Sequence, residues 1–165
     1  MEEQDIEARV LEAVEQTGEP YEVVRIDPAY AATTAFCAEY GYAPEQSGNC
    51  IIVASRTEPV QYAACLVRAT HRLDVNRRVR RLLGVRRASF ASADDTVRLT
   101  GMLPDGVTPF GLPAELPVYL DAGLLEMGTV IVGGGSRSLK LAVAPQTLLA
   151  VRGATVVDDL ALQRS

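Results

Sequence analysis

Gly101-Met102-Leu103-Pro104-Asp105-Gly106-Val107-Thr108-Pro109-Phe110-Gly111-Leu112-Pro113 tells more than any other stretch of the chain. Glycines bracket a Val-Thr-Pro-Phe segment, and prolines stand at positions 104, 109 and 113. Proline lacks a backbone donor and glycine reaches conformations other residues avoid, so a regular helix or a sheet interior is excluded here. A stiff loop is expected, its amides and carbonyls turned toward a ligand or another loop. Further along, Gly133-Gly134-Gly135-Ser136-Arg137-Ser138 follows directly on the apolar run Val130-Ile131-Val132. Two glycine-rich loops, each beside a strand-like segment, point to one pocket built largely from main chain. The bland alternative is a pair of tight turns with no ligand.

The flanking sequence supplies the elements. Ile6, Val10, Leu11 and Val14 recur at helical spacing over residues 4–17. Residues 21–26 read as a strand, and Asp27-Pro28 opens a helix over 29–40 that stops at Gly41. Residues 49–55 and 60–69 form a hairpin around Arg56-Thr57-Glu58-Pro59. His71-Arg72-Leu73-Asp74 reads as a turn, with Asp74 capping a helix over 75–83 whose arginines face away from Val75, Val79, Leu82 and Leu83. A short strand at 89–91 precedes a helix capped by Ser92 and ended by Gly101. Beyond the first glycine loop, 118–121 and 129–132 are strands around a turn or short helix at 122–126. Residues 139–143 alternate like a strand with one covered face. Pro145 starts a helix through about Arg152, and 155–157 is a last strand. Strands outnumber helices without alternating one for one, so an α/β (α+β) fold with a mixed, barrel-like sheet and flanking helices is expected.

A length of 165 residues fits a single domain over 1–165, and 48% hydrophobic with 22% charged residues is ordinary for a globular chain. No apolar run approaches the roughly 20 residues that span a bilayer. The start, Met1-Glu2-Glu3-Gln4-Asp5, is acidic where a signal peptide would be basic, so a cytoplasmic location is expected and no membrane partner. Cys37, Cys50 and Cys65 are odd in number and sit among apolar neighbours, as reduced core thiols do. The net charge is −5, yet eight of the 16 basic residues lie between Arg68 and Arg87. A local basic face on an acidic chain suits docking to one part of an anion, or is simply a solvated helix face.

Much chemistry is excluded. His71 is the only histidine, so any nucleophile–histidine relay must use a residue in an expected turn. No Cys/His spacing matches a zinc site, and no metal or cofactor is expected. The Gly133-Gly134-Gly135 cluster is followed by a strand and not by the helix of a dinucleotide site. An enzyme with this inventory must work by positioning and by main-chain dipoles, such as loop amides that hold a developing oxyanion; one such donor is worth about 3 kcal/mol of barrier.

Gly106-Val107-Thr108-Pro109-Phe110-Gly111-Leu112, Pro117-Val118-Tyr119-Leu120-Asp121, the segment from Val130 to Leu139, Ala144-Pro145 and Gly153-Ala154-Thr155-Val156-Val157-Asp158 together resemble the YbaK/ProX family, the editing domains associated with prolyl-tRNA synthetase. The resemblance implies a compact domain around a mixed sheet and hydrolysis of an amino acid wrongly esterified to tRNA, such as alanine or cysteine on the proline tRNA. Proofreading is needed for small side chains because one methylene supplies only ~1–3 kcal/mol of discrimination. It also implies a catalytic loop of Gly106, Val107, Thr108, Pro109, Phe110 and Gly111 that clamps the aminoacyl ester. Substrate-binding positions follow at Asn49 and Asp121, and at Gly133, Gly134, Gly135, Ser136 and Arg137 on the adenosine side. The implied partners are the acceptor end of tRNA and prolyl-tRNA synthetase, with no DNA. The family usually carries a lysine on the strand after the second helix; here Asn49, or Cys50, stands in its place. Lys140, the chain's only lysine, falls at a position often acidic in relatives. Two readings follow: a freestanding trans-editing deacylase, or a catalytically impaired module that binds aminoacyl-adenosine, the tRNA 3′ end or a small ligand. DNA binding through the arginine helix is a third.

Overall fold

The helical spacing of Ile6, Val10 and Val14 is realised in α1 (Glu3–Gln16), and all three side chains are buried in the computed structural model, which describes residues 2–163. Each such burial contributes roughly 1.5–3 kcal/mol over an exposed side chain. Strand β1 (Tyr21–Arg25) follows. The helix expected over 29–40 comes in two pieces. A 3-10 turn at Pro28–Tyr30 is capped by Asp27, whose carboxylate accepts from the Ala29 amide at 2.9 Å, and α2 (Thr33–Tyr40) starts only after Ala32 has turned extended. The interruption leaves the Ala31 carbonyl outside any helical ladder, which becomes important at the site.

Strands β2 (Gly48–Ser55) and β3 (Tyr62–Arg68) form the antiparallel hairpin that the sequence leads one to expect. Next come β4 (His71–Leu73), a π-helical turn (Val75–Val79) running into α3 (Arg80–Leu83), β5 (Ala88–Phe90) and α4 (Ala93–Thr100). Ser92 caps α4 by accepting from the Asp95 amide at 3.0 Å. The second half comprises β6 (Val118–Asp121), a 3-10 turn (Ala122–Glu126), β7 (Val130–Gly133), β8 (Leu139–Val143), α5 (Pro145–Leu149), β9 (Ala154–Val157) and β10 (Ala161–Gln163).

These strands build a five-stranded mixed sheet in the order β5-β2-β3-β6-β9, a three-stranded antiparallel sheet β1-β8-β7, and the pair β10-β4. A parallel bridge, Ser47 to Ile131, links the two larger sheets among the described residues. Among the described residues the strands form separate sheets flanked by helices without closing a barrel, and the expected mixed α/β architecture stands. The β2–β3 hairpin sorts its side chains strictly by face. Cys50, Ile52, Ala64 and Leu66 enter the core shared with α1 and the three-stranded sheet, while Val53, Ala63, Cys65 and Val67 meet Val75 and Val79 below α3. A third cluster, around Phe36, Cys37, Ile131 and Ala142, seats α2 on the three-stranded sheet.

Three further local expectations are corrected. All five residues of β8 are buried, because α2 covers the face expected to meet solvent. His71 lies in a strand and not a turn: β4 pairs with β10, a contact 90 residues away in sequence that no local pattern encodes. The helix from Pro145 ends at Leu149. No helix of the described residues is long and apolar enough to cross a membrane.

Candidate functional site

The two glycine loops meet. The Gly135 amide donates to the Gly106 carbonyl at 2.8 Å, joining the first loop to the second through main chain. Glycine is required at the contact. A Cβ on Gly133 would stand 2.5 Å from the Val107 carbonyl oxygen, and one on Gly106 would stand 2.9 Å from that of Ser136. Neither neighbour is a side chain that can swing aside.

Beside this junction lies a cavity of about 200 Å³, whose wall includes Thr33, Asn49, Asp105, Val107, Gly133 and Lys140. Asn49 reaches it from β2, and its side-chain oxygen accepts from the Thr33 hydroxyl at 2.8 Å, which leaves the amide NH₂ as a donor. Lys140 comes from β8, where it pairs with Gly133 across the β7–β8 ladder. Its residue is only 7% exposed, and its ammonium donates to the Ala31 carbonyl at 2.8 Å, the acceptor freed by the break before α2. The ammonium also lies 5.5 Å from the centre of the Phe36 ring. Among the described residues no carboxylate forms an ion pair with it. Burial pushes the pKa of this amine below its ordinary value, against the opposing pull of Asp105 and Cys37. The result is a small polar cavity beside the glycine junction, holding one buried cation that among the described residues forms no ion pair, although Asp105 lies on the same wall. An anionic or strongly dipolar oxygen is the ligand such a cavity accommodates.

The sequence matches the aminoacyl-tRNA editing domain family over residues 27–151, most of the chain and all of the cavity wall. The chain belongs to that family. A solved protein known as hypothetical protein APE2540 superposes with a TM-score of 0.82 at 25% identity, over 93% of this chain and 99% of that one. A second, described as a candidate trans-editing enzyme for prolyl-tRNA synthetase, gives 0.79 at 28% identity over 96% and 97%. Among curated proteins, a candidate Cys-tRNA(Pro)/Cys-tRNA(Cys) deacylase of Enterococcus faecalis, EbsC, is 23% identical over 101 residues. That match takes in 61% of this chain and spans 59% of the length of EbsC. The YbaK-like resemblance of the motifs is therefore matched by the whole fold.

The editing domain distributes the remaining sequence-selected residues more widely than a single clamp would. Gly106 and Val107 sit at the loop junction, but Thr108 is wholly buried and its hydroxyl finds no partner among the described residues. Pro109, Phe110 and Gly111 instead wall a separate depression of about 330 Å³, facing the C-terminal end of α1 and residues 150–152. Val107 and Phe110 both enter the core, so the loop is anchored there and lines two separate depressions. In the second loop Gly134 packs on Leu139 and Gly135 on Ile6 and Val10. Ser136 donates to the Glu7 carboxylate at 2.6 Å, and Arg137 pairs with Asp105 at 3.7 Å, which ties the two loops together a second time. Asp121 does not wall the cavity: it pairs with Arg68 at 3.3 Å. Burial raises the Asp121 carboxyl pKa more than Arg68 and His71 lower it. Lys140, Thr33 and Asp105 were not selected from sequence. The one available signal was a solitary lysine interrupting the apolar strand Leu139-Lys140-Leu141-Ala142-Val143.

Proposed function

We propose that this domain is a freestanding deacylase that hydrolyses the ester of a mischarged tRNA, a small amino acid on the proline tRNA being the substrate class. Membership of the editing family supports the reaction type, and the neighbours named for prolyl-tRNA synthetase and Cys-tRNA(Pro) support the tRNA. The observation that carries the reading is Lys140, a buried ammonium in the cavity where two glycine turns meet. Water attacks the ester carbonyl carbon, the bond to the ribose oxygen breaks, and that oxygen takes a proton; free amino acid and tRNA are released. Lys140 offers its charge to an anionic oxygen of the substrate, with Asn49 as a neutral donor beside it. In this reading the cation that relatives carry at the Asn49 position enters from β8, a strand of the other sheet. A volume of about 200 Å³ favours small aminoacyl groups over large ones. The reaction belongs in the cytoplasm, where tRNA is charged, and prolyl-tRNA synthetase is the partner whose errors it would correct. Release of amino acid from alanine- and cysteine-charged proline tRNA tests the proposal, and no turnover on any small mischarged amino acid would sink it. The second reading, a binding-only module, is favoured by the neutral Asn49 and demands saturable binding without hydrolysis.

A further inference from the structure

The end of the five-stranded sheet remote from the cavity carries a concave, arginine-lined surface. One lobe, about 650 Å³, is bounded by Arg72 and Arg77 with Phe90 and Leu162. The other, about 530 Å³, is bounded by Arg56, Arg80, Arg86 and Arg87, and the two lobes share Asn76, Ala88 and Ser89. Among the described residues none of these six arginines is held in an ion pair. Hydrogen bonds to neutral partners set two of them: Arg56 donates to the Ser89 hydroxyl at 3.4 Å and Arg80 to the Asn76 carbonyl at 3.0 Å. From residue 56 to 87 the chain carries nine arginines against Glu58 and Asp74, a local balance of +7 in a chain of net charge −5. In the first lobe Phe90 stands 59% exposed on the edge strand β5, an aromatic ring left in water beside guanidinium groups.

That combination, forked cations that grip phosphate oxygens in pairs and an open aromatic face, is what a nucleic-acid strand requires. A membrane surface would call for a broad exposed apolar face, and here the exposed large apolar side chains are Phe90 and Leu162. Its location agrees with an RNA whose end is elsewhere on the domain. Asn49, Ile51, Val53 and Ser55 alternate onto one face of β2, the face on which Val75 and Val79 seat the arginine-bearing turn. The cavity therefore opens at one end of β2 and the arginine surface lies at its other end, about 20 Å away at the rise of a strand.

We propose that this surface binds the ribose-phosphate backbone of the RNA whose 3′ end enters the cavity, with Phe90 stacking on an unpaired base. The proposal rests on the deacylase reading for the identity of the RNA, and its test does not require catalysis. Binding of uncharged proline tRNA is measured by fluorescence anisotropy across a salt series, for the parent, for Arg86→Glu/Arg87→Glu and for Phe90→Ala. The double variant should bind at least tenfold more weakly, with a log–log salt slope shallower by about 1.5, as the loss of two phosphate contacts requires. Phe90→Ala should lose about tenfold with little change in slope, because stacking is uncharged. All the altered side chains are exposed, so the variants should fold, which circular dichroism checks. Parent-like affinity and slope in both variants overturn the proposal, as does binding to phosphatidylserine vesicles without binding to tRNA. Arginine-dependent tRNA binding by a protein that releases no amino acid would uphold the surface while removing the catalytic reading. Deacylation with KM unchanged in both variants would do the reverse.

Discussion

Replacing Lys140 by methionine keeps most of the apolar stem, one heavy atom shorter, and removes the charge and its donors. Two effects on stability oppose each other. The Ala31 carbonyl loses its partner at 2.8 Å, a cost of about 1–3 kcal/mol for a buried acceptor, and the contact with the Phe36 ring loses its cation. Against this, the variant no longer buries an ammonium without a carboxylate partner, so the net change should stay within about 2 kcal/mol and the protein should fold. Catalysis has no such compensation. If the ammonium meets the ester oxygen as it becomes negative, its loss should lower kcat by about 10²-fold, equivalent to about 3 kcal/mol. If it meets a phosphate oxygen instead, the loss should fall on KM. Deacylation of alanine-charged proline tRNA, with kcat and KM resolved separately, distinguishes these outcomes. Adding Asn49→Lys to the methionine variant should restore part of the activity, since both positions wall the same cavity. There is also a signature in pH. Because burial lowers the Lys140 pKa, the folded state releases its proton before the unfolded chain does at the ordinary amine value of 10.5. The penalty for burying the charge is therefore full below the folded pKa and is relieved as pH rises toward the unfolded value. The parent should gain stability relative to the methionine variant over that window. Unchanged kcat and KM in Lys140→Met would refute the reasoning, whatever the stability data showed.

Gly133→Ala should cost about 2 kcal/mol and lower Tm by about 5 °C, since its Cβ meets the Val107 carbonyl at 2.5 Å; a parent-like melting curve would show that the loops do not press together as described. Burial raises the Glu7 pKa, but hydrogen bonds from Ser136 and Arg25 outweigh it and leave the carboxyl below its ordinary value of 4.5. The stability this supplies is present above that value and lost as pH falls through the folded pKa. Ser136→Ala should thus be less stable than the parent at neutral pH, with the gap narrowing in acid; a gap independent of pH in urea titrations would contradict the assignment. Cys50 and Cys65 are buried free thiols, and burial raises both, Cys65 to about 12. A thiol reagent should label neither in the native protein at mildly alkaline pH, and should label both once urea unfolds it. Fast native labelling would show that the β2–β3 hairpin opens.

Local chemistry was the legible part. The apolar spacing of α1, the caps at Asp27, Asp74 and Ser92, the β2–β3 hairpin and the two glycine loops each depend on interactions within a few residues, so the string of side chains encodes them directly. The family motifs were readable for the same reason, as they sit where main chain must bend or approach closely. Elements whose stability comes from a distant partner were not readable. His71 to Leu73 becomes a strand only because β10 lies beside it, and β8 is covered on both faces only because α2 folds back over it. The site shows the same division. Gly106 and Gly133 could be chosen from sequence, but the loop between residues 106 and 111 also buries Val107 and Phe110 in the core and reaches a second depression.

Motif order alone thus pointed to the family, and the glycines to two loops that meet through main chain. Which cation stands beside them was decided only by folding. Asn49 and Lys140 are 91 positions apart, and nothing in the spacing of either announces the other. They share a cavity because the bridge from Ser47 to Ile131 sets β2 against β7, and β8 pairs with β7 so that Lys140 lies opposite Gly133. A charge on one strand can do the work of a charge on another when both side chains end in the same small volume, and that coincidence is a property of the packed sheets.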